Sequence, residues 1–213
     1  MTSAPASSAS QAAAGQRAAG LPTRLPVHRV ASYAVPAGER AGWLRLDINE
    51  SPHGAPDFVV AATHAALGGQ QIATYPTYAA WRAEAAAWFG VPPDWLTCTA
   101  GADEGIKAIF DTFLLPDHAM VTQSPGFDMF TIWADLLGNP VRQVPLRRVG
   151  MARLLHDDDA WRAALTPSPQ SDGTQPAPTG LVALANPNNP AGTAVRRAVV
   201  EETLATVSCP VVI

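Results

Sequence analysis

Three short stretches carry groups suited to holding a flat, charged ligand, and each one follows an apolar run. TAGADEGIK (99–107) passes through small residues into a helical pattern. The first N–H groups of a helix have no partner inside it and carry partial positive charge. Ala102 and Asp103 would therefore offer backbone amides to an anion such as phosphate. The same stretch also serves as an ordinary helix start, with Asp103 and Glu104 stabilising the first turn. In TQSPGFDMF (122–130) an apolar run ends at Pro125-Gly126, and Phe127 opens a helix. Phe127 and Phe130 lie three apart on one face. An aromatic there can stack on a flat ring or simply join the core. ANPNNPAG (185–192) stops the run GLVALA with poor strand residues, because asparagine disfavours strands and proline cannot donate to a ladder. Its asparagines could offer an amide donor to a ligand oxygen, or serve the turn alone.

The elements that must position these stretches alternate along the chain. Helical spacing covers 57–69, with Gly68-Gly69 as its expected cap, and 77–90, with Trp81, Ala85 and Trp88 on one face and Gly90 at its end. Tyr75-Pro76 falls in the loop between them. Strands are expected over 94–100, 118–123, 141–146, 180–185 and 209–213, and helices over 102–115, 126–138, 157–166 and 195–207. A proline- and serine-rich loop follows residue 166. Apolar strands alternating with amphipathic helices predict an α/β domain whose mainly parallel sheet has helices on both faces. In such sheets ligands sit at the carboxyl ends of the strands, where all three stretches fall.

Composition narrows the function classes. With 47% hydrophobic and 15% charged residues in 213, the chain can form a sizeable core. A net charge of −4, with no basic cluster beyond Arg147-Arg148 and Arg196-Arg197, argues against a nucleic-acid partner. No stretch has the length of a membrane span, so no membrane partner is expected. Cys98 and Cys209 lie in apolar runs without metal-ligand spacing and read as buried small residues of a reducing, cytoplasmic compartment. Residues 1–20 are Ala/Ser-rich and read as a disordered leader, residues 21–56 as a proline-rich extended arm, and 57–213 as the large domain. Neither G-x-G-x-x-G nor G-x-x-x-x-G-K-[ST] occurs, which removes the common nucleotide-binding fingerprints.

SYAVPAG (32–38), LDINESPHGAP (46–56), YPTY (75–78), FGVPPDWLTCTAGADEGI (89–106), SPGFDMF (124–130) and NPNNPAGT (186–193) together resemble the aspartate-aminotransferase-type enzymes of fold type I, within them the histidinol-phosphate aminotransferase group. The resemblance covers roughly residues 30 to 213. It implies pyridoxal 5′-phosphate as cofactor and transamination between an amino donor and a 2-oxo acid, with histidinol phosphate and 2-oxoglutarate as the leading pair. Other amino acids, including aromatic ones, are the alternative donors. The amides of Ala102 and Asp103 would take the cofactor phosphate, Phe127 would stack on the ring where relatives usually have tyrosine, and Asn189 would donate to the ring oxygen. Tyr75 would reach the cofactor phosphate of a neighbouring subunit, implying a homodimer, and Tyr33 and Asn49 would lie near the substrate.

The family's chemistry needs a lysine amine, and the one lysine here, Lys107, sits in the helix after the phosphate cradle. It is expected on the helix surface with no catalytic role. The resemblance puts the cofactor-holding lysine beyond Ile213, leaving no catalytic residue within the 213 residues. The apolar finish CPVVI likewise suggests that the sheet continues. The chain alone is therefore expected to be inactive, as the N-terminal portion of an enzyme or as a non-catalytic, dimerising remnant.

Overall fold

The computed structural model describes residues 42–45, 48–151 and 153–213. Tyr33, the leader and most of the arm lie outside the described residues. The described residues divide into two units, those up to Thr99 forming one and residues 100–213 the other.

Among the described residues, the first unit holds α1 (Asp57–Ala66), α2 (Gly69–Ala73), α3 (Ala79–Phe89) and a 3-10 turn (Pro93–Trp95). Helix α1 does not end on Gly68-Gly69. Leu67 caps it, and Gly68 instead precedes α2, a short helix in what the spacing predicts to be loop. Helix α3 ends at Gly90 as expected, but its buried position is Ala86, while Trp81 and Trp88 are exposed. No strand forms over 94–100. Pro93 begins a helical turn and Leu96 returns to extended backbone without joining a sheet. An apolar run becomes a strand only beside a partner, which propensity cannot supply. Cys98 is correspondingly exposed, not buried, whereas Cys209 is half-buried.

The second unit contains α4 (Gly101–Phe113), β1 (Ala119–Ser124), α5 (Asp128–Leu137), β2 (Val141–Pro145), a hairpin of β3 (Arg147–Val149) and β4 (Arg153–Leu155), α6 (Asp158–Leu165), β5 (Thr179–Ala183), α7 (Arg197–Thr206) and β6 (Val211–Val212). Strands β2-β1-β5-β6 form one sheet in that order, all parallel. Alternation along the strands divides the core into two layers. On one face Met120, Leu181 and Ala183 meet Ile106, Phe110 and Leu114 from α4 and its end, and Phe130 and Ala134 of α5. On the other, Val121, Val144, Val182 and Leu184 meet Trp161 and Leu165 of α6 and Val199 of α7. The expected parallel sheet with helices on both faces is thus present.

Chain direction follows from these contacts. Only residues 114–118 separate α4 from β1, so the end of α4 lies at the amino edge of the sheet. Asn139, buried, pins this loop by donating from Nδ2 to the carbonyls of Leu115 (2.7 Å) and His118 (2.9 Å). A 13-residue helix is about 20 Å long, and a six-residue strand spans about 20 Å. Packed against β1 and β5, α4 therefore starts near the carboxyl edge.

At the far side of the sheet, Arg142 of β2 reaches in from half-burial. Its guanidinium donates to the carbonyls of Ala164 and Ala177 and to Thr179 Oγ1 (2.9 Å). This ties α6 and the long loop to the start of β5. Burial lowers the guanidinium pKa, with partial opposition from Cys209, yet an arginine stays charged throughout the physiological range.

Candidate functional site

The sheet order makes a switch point. From β1 the chain moves outward to β2, then returns to place β5 on the opposite side of β1. The helices that follow β1 and β5 pack on opposite faces of the sheet, and in such sheets the carboxyl ends at a switch point of this kind are the usual ligand position. The loop after β1 carries Phe127, the loop after β5 carries Asn189, and α4 brings its N-terminus to the same edge.

At α4, Gly101 holds a φ of +76°, a conformation glycine adopts without steric cost. A side chain there would meet nothing within 4 Å, so the space in front of the helix is open. Glu104 accepts from the Ala100 amide, satisfying the cap position. Ala102 and Asp103 follow in the first turn, both exposed, where amides lack a carbonyl partner inside the helix. This is a surface to which an anion can bind.

After β1, Gly126 permits a tight turn: a Cβ there would lie 2.5 Å from the Gln123 carbonyl oxygen. Phe127 follows with extended backbone as the N-cap of α5 and is half-buried. Its ring meets Phe130 edge to face, centroids 5.7 Å apart, while Phe130 stacks on Phe110. The two sequence alternatives therefore divide between two residues. Phe130 is the core aromatic, and Phe127 packs against the core while staying only half-buried.

The Asn-Pro turn is built by asparagines that sequence reasoning did not single out. Asn186 Oδ1 accepts from the Val195 amide (2.9 Å). Asn188 is only 2% exposed. Its Oδ1 accepts from the Ala191 amide (3.0 Å), and its Nδ2 donates to the Pro125 carbonyl (3.1 Å) and to Gln123 Oε1 (3.1 Å). Its backbone exchanges further bonds with Thr193 and Gly192. Asn188 thus locks the β5 loop to the β1 loop. Asn189, next to it, is exposed. Of the two adjacent amides, one builds the site and the other is presented by it.

Gln123 was also missed, although a polar residue ending the apolar strand AMVTQ was a visible signal. It is 3% exposed, and its Nε2 lies 3.1 Å from Nδ1 of His156. His156 packs against Trp161 (centroids 5.1 Å apart). Burial lowers its pKa; Asp158 and Asp157 oppose that, and Arg196 reinforces it.

Lys107 is exposed, paired with Asp111 one helical turn on and lying over the Trp133 ring at 5.6 Å. It is a surface residue of the α4–α5 layer, as its place in the helix predicts. Tyr75 (99% exposed) and Asn49, exposed with a φ of 54°, belong to the first unit. Among the described residues no helix is long and apolar enough to cross a membrane, and no group of three or more His, Cys, Asp or Glu is placed to hold a metal ion.

Comparison with known proteins agrees with this architecture. Residues 41–210 match the family described as aminotransferase class I and II. A histidinol-phosphate aminotransferase of Cupriavidus pinatubonensis is 33% identical over 177 residues, covering 82% of this chain and 43% of that protein. Two solved structures show the same fold. The first is described as a putative histidinol-phosphate aminotransferase from Erwinia carotovora atroseptica (TM-score 0.66, 23% identity, 84% of this chain and 49% of that one). The second is histidinol-phosphate aminotransferase from Sinorhizobium meliloti in complex with pyridoxal-5′-phosphate (TM-score 0.59, 22% identity, 75% and 40%). The chain spans about two-fifths of the length of the curated relatives it matches.

Proposed function

Since the chain belongs to the aminotransferase class I and II family, we propose that its second unit forms the phosphate- and ring-binding part of a pyridoxal 5′-phosphate site. What supports this reading is the topology: the start of α4, the loop after β1 and the loop after β5 all belong to the carboxyl edge of one sheet, and they carry first-turn amides, a half-buried aromatic ring and an exposed amide. They suit the cofactor's phosphate, ring and ring oxygen respectively. Bound there, pyridoxal 5′-phosphate supplies the electron sink for reactions at an amino acid's α-carbon.

The roles of the chain's residues follow from their chemistry. The amides of Ala102 and Asp103 hold the phosphate at the positive end of α4. Phe127 covers one face of the ring and, lacking a tyrosine's hydroxyl, adds only stacking. Asn189 donates to the ring oxygen and favours its anionic form, which tunes the sink. Tyr75 extends to the cofactor phosphate of a second copy, making the working assembly a homodimer, and Tyr33 and Asn49 flank the substrate. Lys107 takes no part.

For the whole protein the favoured reaction is amino transfer from histidinol phosphate to 2-oxoglutarate. It is supported by relatives of that name at about one-third identity. An aromatic amino acid is the competing donor. Titrating the protein with pyridoxal 5′-phosphate, followed by tryptophan fluorescence, tests the site. Asn189→Ala should weaken binding about tenfold, the worth of a hydrogen bond to a charged oxygen, and Phe127→Ala should weaken it independently. Wild-type affinity in both variants would refute the assignment. Steady-state transamination with each donor, measured on the whole protein, decides the substrate.

A further inference from the structure

The hydrogen bonds around Asn188 have a polarity that propagates. A backbone N–H can only donate and a carbonyl can only accept. The Ala191 amide therefore fixes Asn188 Oδ1, and the Pro125 carbonyl fixes Nδ2. The second proton on Nδ2 must go to an acceptor, so the Gln123 atom it meets is Oε1. That turns Gln123 Nε2, a donor, toward His156 Nδ1. Nδ1 must accept and cannot carry a proton, so the neutral ring holds its proton on Nε2.

We infer that Asn188, Gln123 and His156 form a hydrogen-bond chain of fixed direction that positions the Asn189 turn, with the neutral His156 ring as its accepting end, so that protonating His156 uncouples the turn. The role at the cofactor rests on the proposed assignment of Asn189; the chain itself does not. A protonated ring would set an Nδ1–H against an amide donor. Its other nitrogen, Nε2, is buried without an acceptor among the described residues and carries a proton in both states, so the Nδ1 contact alone distinguishes them. Around the ring, Asp157 and Asp158 favour the proton and Arg196 opposes it. These three line an open cavity of about 620 Å³ beside His156, along with Arg147, Asp159 and Arg162. Asp158 pairs with Arg196 and Asp159 with Arg162, while Asp157 accepts from the Ala160 amide. Trp161, packed against the ring, contributes no charge. Gln123, Asn188 and His156 are thus positioning residues acting through Asn189.

The test is nitrogen-15 NMR of uniformly labelled protein, with a His156→Gln variant assigning the imidazole signal among five histidines. The neutral ring should be the Nε2–H tautomer and should titrate below the ordinary histidine value of about 6.5. The Ala191 amide should shift with the same midpoint. Gln123→Glu replaces the facing donor by an acceptor and should move the His156 midpoint above that ordinary value. Acidification should weaken pyridoxal 5′-phosphate binding to wild type about fivefold more than to His156→Gln, the worth of one net hydrogen bond. A proton on Nδ1 at neutral pH, or an Ala191 amide indifferent to the titration, overturns the inference. The expected tautomer and coupled shifts without cofactor binding by wild type would uphold the chain and refute the cofactor assignment alone.

Discussion

Adjacent asparagines with the same side chain should fail in opposite ways when truncated. Three hydrogen bonds converge on the Asn188 amide, all inside the β1–β5 junction. A net intramolecular hydrogen bond contributes about 1 kcal/mol, and a buried group left without a partner costs somewhat more. Asn188→Ala strands the Gln123 oxygen, the Pro125 carbonyl and the Ala191 amide together, so its expected cost is about 3 kcal/mol. Asn189 is exposed, and truncating it should cost under about 0.5 kcal/mol. Urea unfolding followed by far-ultraviolet circular dichroism reads both, with equal slopes required for the comparison. Cofactor titration on the same samples should show the inverse weighting: Asn189→Ala, fully folded, loses affinity directly. If Asn188→Ala unfolds within about 1 kcal/mol of wild type, or if Asn189→Ala is the more destabilised, the division between a building and a presented amide is wrong.

Four further outcomes are expected. Phe110→Ala removes a fully buried ring stacked on Phe130 and should cost about 3–5 kcal/mol in the same unfolding experiment. Arg142→Met should cost about 2–4 kcal/mol, since it leaves the carbonyls of Ala164 and Ala177 without the guanidinium and removes one of the two bonds to Thr179 Oγ1. Lys107→Ala removes an exposed helix pair and should change stability by under about 0.5 kcal/mol, with unaltered affinity in a cofactor titration. Because burial depresses the folded-state pKa of His156, the unfolded chain binds its proton first. This contribution to stability is present above the unfolded value near 6.5 and is lost as pH falls through it toward the lower folded value. Unfolding profiles of wild type and His156→Gln should therefore converge on acidification.

Most of the second unit was legible because burial on two faces imposes simple periods. The stretches over 118–123 and 180–185 read as strands and 102–115 as a helix, and the structure places β1, β5 and α4 there with ends shifted by one or two residues. What escaped depends on partners distant in sequence. The hairpin RRV/RLL is too short and too charged to announce itself, and it exists through pairing. LTCT has strand composition without a strand beside it. At the site, the Asn-Pro turn, the aromatic and the helix start were each visible in sequence. The division of labour between Asn188 and Asn189 was not, because it is decided by Gln123 and Pro125, more than 60 residues away.

The direction of the Asn188 bonds also restricts how this corner of the protein can change during evolution. Aspartate matches asparagine in size, yet at position 188 it would bring a second acceptor against Gln123 Oε1 and the Pro125 carbonyl. Turning the Gln123 amide over would relieve only the first of these contacts, leave the Pro125 carbonyl opposed, and ask position 156 for a donor instead of an acceptor. Substitutions at 123, 156 and 188 are thereby coupled by hydrogen-bond sign more than by volume. Aligned relatives should change these positions in concert, and a lone Asn188→Asp exchange beside an accepting residue at 156 should be selected against.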